Sequence, residues 1–322
     1  MNRLSCTLSP IRSTLNARGS LLIVGLWAMS IFSVMTTSLA FNASQHVVMM
    51  KREIEELQNK TDFVSGLNQA AQLIAVDPYP HEDSPADSWY GTLLLQKPFA
   101  GRMEVQVEDE ESKLNLNEAP EAMLTAFFKN FEDEVSALKG SRKDYVKEIT
   151  KLRATKRIDS LEELLLMDGF EKEDFPVLRP FLTVYPDSPL INLNTANPLI
   201  LKSLLDFLSG DHGIKAIFTG RLEEHQTLAH QGTGAPVPRT GDRVAGGWWT
   251  EADLRPEIFA EKLKLPKTPF MMSLVQEFLA AVTTDSETFH IDMKLSNGRQ
   301  ASGIFRYRAG QMRAEVLGWH EE

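Results

Sequence analysis

The side chains able to do chemistry are all present in this chain, but their spacing assembles few sites. Seven histidines, His46, His81, His212, His225, His230, His290 and His320, show neither an H-E-x-x-H pattern nor any other metal-ligand spacing, and they read as surface histidines. The acidic run Glu108–Asp109–Glu110–Glu111 could offer hard oxygen ligands to a cation, and it reads more simply as a solvated charge run. No glycine-rich phosphate loop, Ser/His/Asp arrangement or pair of catalytic carboxylates can be assembled, so no catalytic residue is assigned and the expectation is a non-enzyme. The one cysteine, Cys6, lies in the first segment, so a chain cut after that segment would have no thiol, disulfide or cysteine metal site.

Charge is unevenly spread over the 322 residues. Residues 1–19 hold Arg3, Arg12 and Arg18 and no acid, which leaves 31 basic against 44 acidic residues, a formal −13, in the remainder. Such a surface repels nucleic acid and anionic lipid. A hydrophobic content of 43% with 24% charge is that of a folded chain with a sizeable core.

Between Arg18 and Lys51 there is no charge, and Ser20–Phe41 is long enough to cross a hydrocarbon layer of about 30 Å as a helix. Three arginines precede it, so the positive-inside bias keeps the leader in the cytoplasm and puts everything after Phe41 on the far side. A cleaved secretory signal ending at Thr37–Ala40 is one alternative, although the apolar stretch exceeds the usual length; a generic signal anchor is another. The pair Arg18–Gly19 directly before the apolar run has the form of a prepilin-type boundary. Cleavage on the cytoplasmic side after Gly19 would leave Ser20 as the first residue of a protein that keeps its membrane helix.

Helical periodicity continues through Val47, Met50, Ile54, Leu57, Val64, Leu67, Ala71 and Ile74, an amphipathic stalk that Asp77–Pro78–Tyr79–Pro80 should end. Trp89–Leu95 and Arg102–Val107 alternate like strands around a turn at Lys97–Gly101. Asn117–Pro120 resembles a helix cap, and Asp159–Glu162 a capping box opening a helix that ends at Gly169. A short repeat is visible: Leu114–Asn115–Leu116–Asn117 and Ile191–Asn192–Leu193–Asn194 each precede a capped helix. Residues 209–247 contain a loop, clearest at Gln231–Pro236, and Phe289–Leu295, Ala301–Tyr307 and Met312–Leu317 predict a meander with turns at Ser296–Gly298 and Arg308–Gly310.

In order along the chain, Arg18–Gly19 with Ser20–Trp27, Asp109–Glu110 with Lys113–Asn117, Ser160–Leu164 leading to Gly169, and Ile191–Ala196 resemble the minor pseudopilin K family of the type II secretion system, also called general secretion pathway protein K. The resemblance covers most of the chain and includes Trp27. It implies an α+β fold: a long N-terminal transmembrane and amphipathic helix, a pilin-like antiparallel sheet, and a large all-helical insertion domain. The corresponding division is a leader at 1–19, a membrane helix at 20–41, the stalk and first part of the pilin-like domain at 42–113, the insertion at 114–268, and C-terminal strands at 269–322.

The resemblance further implies a tip subunit of the pseudopilus that helps initiate assembly and export of folded proteins, in the bacterial inner membrane with its C-terminal region periplasmic. Gly19 would be the last leader residue, cut by a prepilin peptidase, and Ser20 the mature, N-methylated end. Most pilin-like proteins carry Glu where this chain has Val24; a tip subunit has no neighbour whose ammonium would pair with that carboxylate, and an unpaired charge in lipid costs several kcal/mol, roughly. The implied partners are minor pseudopilins I and J on the stalk around Val47–Ile74 and on the pilin-like sheet, membrane lipid, and the outer-membrane secretin or exported cargo on the helical insertion. Calcium in the pilin-like part is the one cofactor implied, with no ligand mapped onto Asp285, Glu287 or Asp292. The chain departs from the family at Phe131–Glu134 and Lys139–Lys147, where an aspartate-rich Trp-x-Asp stretch is usual.

The rival reading is a membrane-anchored helix-hairpin-helix protein for DNA binding or uptake, since Leu161–Gly169 and Ile191–Leu201 resemble that motif's packing. Acids beside its turn, Met167–Asp168–Gly169–Phe170–Glu171, argue against contact with phosphate. A membrane-anchored periplasmic enzyme has no motif in its favour.

Overall fold

The computed structural model describes residues 16–77, 81–93, 102–135, 138–209, 212–231, 248–307 and 314–321. Gln231 is the one described residue of the Gln231–Pro236 loop; Cys6, the turns at Lys97–Gly101 and Arg308–Gly310, and Met312 lie outside these residues. The chain divides into two units, Met1–Thr61 and Asp62–Glu322.

The first unit holds most of α1 (Asn16–Ala75), an unbroken helix of 60 residues. Its side chains from Leu21 to Phe41 are exposed and almost wholly apolar. The hydroxyls of Ser30, Thr36 and Thr37 donate to the carbonyl four residues back, at 2.9, 2.7 and 2.8 Å. Each therefore satisfies its polar group within the helix, as an apolar surrounding demands. Among the described residues this is the one helix long and apolar enough to cross a membrane.

In the second unit the elements follow as β1 (Gly91–Leu93), β2 (Met103–Asp109), β3 (Leu114–Asn115), α2 (Glu121–Glu134), α3 (Arg142–Thr155), α4 (Phe175–Leu178), β4 (Leu182–Thr183) and β5 (Ile191–Asn192). Then come α5 (Pro198–Leu208), α6 (His212–Gln231), α7 (Pro256–Lys262), α8 (Pro269–Leu279), β6 (Val282–Thr283), β7 (Thr288–Leu295), β8 (Gln300–Arg306) and β9 (Glu315–Glu321). Five strands form an antiparallel sheet in the order β1-β2-β7-β8-β9, so the helical stretch is inserted between two neighbouring strands, β2 and β7.

The sheet buries one face against the end of α1. Phe63, Ala70 and Ile74 pack with Val105, Val107, Ile291, Met293 and Phe305, and Trp89 lies edge-on to Phe289 at 5.0 Å. Gly66 permits the close approach: a Cβ there would stand 2.5 Å from the Met103 methyl and 2.9 Å from the Met293 sulfur. Period-2 burial along β2, from Met103 to Asp109, is the pattern read in the sequence.

A separate core fills the helical body. Phe127, Phe128 and Phe131 of α2 pack with Tyr145 and Phe181, while Phe218, Trp249, Phe259 and Phe278 form a second aromatic group. Helix α8 buries Met271, Leu274, Val275 and Phe278 in this same core, so the packed body runs on to Val282, past the division at 268.

Three element readings need correction. The expected helix over 159–169 is a 3-10 turn, Leu161–Leu166, because Ser160 makes no side-chain cap and Glu163 alone reaches back, to the Asp159 N–H at 3.0 Å. Asn117 does not cap α2, whose N-terminal flank is Pro120; its amide is used elsewhere, as shown below. The last strand is Glu315–Glu321, displaced toward the C-terminus from Met312–Leu317, because its register is set by pairing with β8.

The Asn repeat opens two equivalent helical units. Asn115 Oδ1 accepts the Asn117 N–H at 2.9 Å, and Asn192 Oδ1 accepts the Asn194 N–H at 2.9 Å. Asn117 then holds both the N–H and the C=O of Ile158, each at 2.9 Å, and Asn194 holds the N–H and C=O of Trp249 at 2.8 and 2.9 Å. Each unit closes by a parallel pairing, β3 with β4 and β5 with β6, and the Leu116 and Leu193 N–H groups donate to the carbonyls of Thr183 and Thr283, both at 2.8 Å.

Candidate functional site

The most concentrated buried chemistry lies where the helical body joins the sheet. β2 ends at Asp109, which is fully buried and accepts from the Glu111 N–H at 2.8 Å. Its other oxygen accepts from Asn192 Nδ2 at 3.0 Å and from the Thr195 hydroxyl at 2.5 Å, both from the second helical unit. Asn192 also donates to Ser286 Oγ at 2.8 Å, and the Ser286 N–H donates to Asp83 Oδ2 at 2.6 Å. Glu111 receives the Thr288 N–H at 3.1 Å, at the start of β7.

The acidic run is therefore not a solvated face: Asp109, Glu110 and Glu111 expose 0, 2 and 7% of their surface. Burial pushes the Asp83 carboxyl up to about 9, with Asp109 adding to the effect. Burial likewise raises Asp109, against the hydrogen bonds from Thr195 and Ser286, and raises Glu111 well above the carboxylate range, with Asp109 again contributing. Buried like charges without a counter-charge hold protons or share a cation.

Glu110 next to them has the opposite environment. Lys113 Nζ lies 2.6 Å from it, the Thr183 hydroxyl donates to it, and His290 Nδ1 stands at 3.5 Å. Burial opposes ionisation, but the Lys113 and His290 charges win and hold Glu110 down at about 2. For His290, burial would lower the pKa, yet the hydrogen bonds to Asp292 and Glu110 raise it to about 9.

The sequence reading of histidines holds for the exposed His46, His81 and His320 and fails for His290 and His225. The His225 ring stacks on Trp249 at 4.2 Å between centroids, and burial lowers its pKa. The side chains of His212 and His230 lie outside the description.

One group has the donor chemistry of a cation site. Oxygens of Asp77, Asp83 and Asp87 lie within 4.8 Å of one another. Asp77 Oδ2 accepts from Trp89 Nε1 at 2.7 Å, and Asp87 Oδ2 from the Ser84 N–H at 2.6 Å, which fixes both carboxylates. Three hard oxygen donors, one of them buried, fit calcium. Asp77 was legible only as a helix terminator, and the acids Asp285, Glu287 and Asp292 are not in this group; Asp285 faces His81 at 3.4 Å and Asp292 faces His290 at 3.4 Å.

The sequence-derived N-terminal residues are all placed on α1. Gly19 and Ser20 lie within the helix, and Val24 and Trp27 expose 63 and 66% of their surface. The helix-hairpin-helix alternative draws on two different helical units, since Leu161–Gly169 belongs to the one opened by Asn115–Asn117 and Ile191–Leu201 opens the one that follows; Asp168 and Glu171 are exposed beside its turn.

A long apolar N-terminal helix running into an antiparallel sheet, with helices beside it, is a pseudopilin-like α+β fold. One solved structure with this likeness is the GspK-GspI-GspJ complex from the type 2 secretion system of enterotoxigenic Escherichia coli. The match has a TM-score of 0.57 at 12% identity and covers 84% of this chain and 99% of the chain it matches. No family model and no curated protein matches the sequence.

Proposed function

We propose that this chain is a non-enzymatic minor pseudopilin of the K type, seated at the tip of a type II secretion pseudopilus. The observation that carries the reading is the likeness to a chain in the GspK-GspI-GspJ complex, which extends over 84% of this chain and 99% of that one. Prepilin peptidase cuts after Gly19, and the helix from Ser20 to Phe41 holds the protein in the inner membrane with the remainder periplasmic. Val24 supports the tip position, because an apolar side chain there needs no partner ammonium in lipid. Minor pseudopilins I and J bind along the stalk and the sheet, and the helical body, which in this reading runs from residue 114 to the return into β7, meets the secretin or cargo.

Co-expression of the full chain with minor pseudopilins I and J of the same bacterium tests this reading. A stable complex recovered from the membrane supports it; separate migration of the three proteins contradicts it.

We further propose that Asp77, Asp83 and Asp87 bind calcium, supported by their donor chemistry and convergence. Saturating calcium should then raise the melting temperature, by about 2.7 kcal/mol of stabilisation at a hundredfold excess over Kd. The Asp83→Asn variant should lose that response, and a response unchanged in the variant would remove Asp83 from the site.

A further inference from the structure

The outer edge of the sheet carries a second feature, independent of the membrane helix and the cation site. β9 has one strand neighbour among the described residues, β8. In their register Phe305 faces Val316 and Ile304 faces Gly318, leaving Leu317 as a bulge. Gly303 faces Trp319, so Val316 and Trp319, three residues apart, share the face of Phe305 and Gly303; an unbroken strand would set them on opposite faces.

These two side chains expose 49 and 36% of their surface and form an apolar lip along the edge. Trp319 is held there. Its ring covers Gly303, where a Cβ would stand 2.7 Å from it, touches Phe63 edge-on at 6.2 Å, and donates Nε1–H to Glu321 at 2.9 Å. Exposed Glu315 and Glu321 close the two ends of the strand.

A second copy of the chain is a poor occupant. Antiparallel pairing about Gly318 sets Glu315 of each copy opposite Glu321 of the other, and parallel in-register pairing sets like against like, which destabilises both. We propose that β9 takes up an extended segment of a partner protein with Lys or Arg residues five positions apart, opposite Glu315 and Glu321 as Arg306 and Ala301 of β8 are, and apolar residues between them over Val316 and Trp319. The chain's formal −10 charge adds to the attraction. Main-chain hydrogen bonds to the outer edge of β9 supply affinity and the acid pair supplies selection.

The test uses the full chain in detergent with synthetic peptides of alternating Val and Thr between two lysines five positions apart, and the same peptides with Glu for Lys or Pro at the centre. The lysine peptide should slow hydrogen exchange of the β9 amides and bind about tenfold more tightly than the glutamate peptide. The doubly substituted variant E315K/E321K should reverse the preference while exchange in β7 stays as in the native chain, which reports that the sheet is folded. Absence of β9 protection by any peptide, equal binding of both charge types, or undiminished binding of the proline peptide would overturn the proposal and leave the two glutamates as guards against edge pairing.

Discussion

Asn117 gives its carboxamide to both main-chain groups of Ile158 and, through the same amide, to the Val184 carbonyl at 3.0 Å. Asn194 does the same for Trp249. Truncation to Ala leaves buried N–H and C=O groups without partners, at about 1–3 kcal/mol each, so Asn117→Ala and Asn194→Ala should each lower stability by about 2–6 kcal/mol. The melting temperature should fall by several degrees in each, and a shift within error would deny these side chains their role. His290 makes a prediction in pH. Its pKa is raised from 6.5 to about 9 in the fold, so its contribution is complete below about pH 6.5 and is lost as pH rises through about 9. His290→Gln should be less stable than the native chain at pH 6 and lose that deficit by pH 10; a deficit constant over this range would contradict the assignment. The sequence displayed the two Asn pairs as a repeat but not their purpose, because partners such as Ile158 and Trp249 lie 41 and 55 residues away. Likewise Glu110 and His290 looked exposed, since a charge run carries no sign of the Lys113 and Thr183 groups that fold onto it.

The sheet and α1 were readable at the level of elements because their periodicities, two and three to four, are strong over many residues. β9 was displaced because the bulge at Leu317 breaks the alternation within it. The helical body was readable as helical but not in its details; 3-10 turns such as Leu161–Leu166 share the composition of α-helix and are decided by caps that Ser160 does not make. α1 also carries the predictions that concern the membrane. Replacing Gly19 with Phe should block removal of the leader while membrane insertion persists, read as a mass excess of the leader on the membrane-bound chain; normal processing would contradict a prepilin boundary. Val24→Glu places a carboxylate in the apolar stretch and should disturb tip placement and reduce secretion, whereas unchanged secretion would sink the argument from Val24.

At the scale of the whole molecule, two apolar cores, one in the sheet and one in the helical body, meet through polar contacts: Asp109 to Asn192 and Thr195, Glu110 to Thr183, and Arg306 to Asp187 at 2.7 Å. Buried hydrogen-bonded groups fix the orientation of the helical body on the sheet where apolar contact alone would permit sliding. The likeness to the pseudopilin complex is one of fold, and the proposed place of the chain in a pseudopilus rests most heavily on how its N-terminus is made. The most direct measurement is therefore the mature N-terminal residue, by mass spectrometry of protein purified from the native membrane. The account predicts a chain beginning at Ser20, with the apolar helix retained. A start after Ala40 would make it a secreted protein without its membrane helix, and an intact Met1 would leave an ordinary anchor; either would contradict the pseudopilin reading.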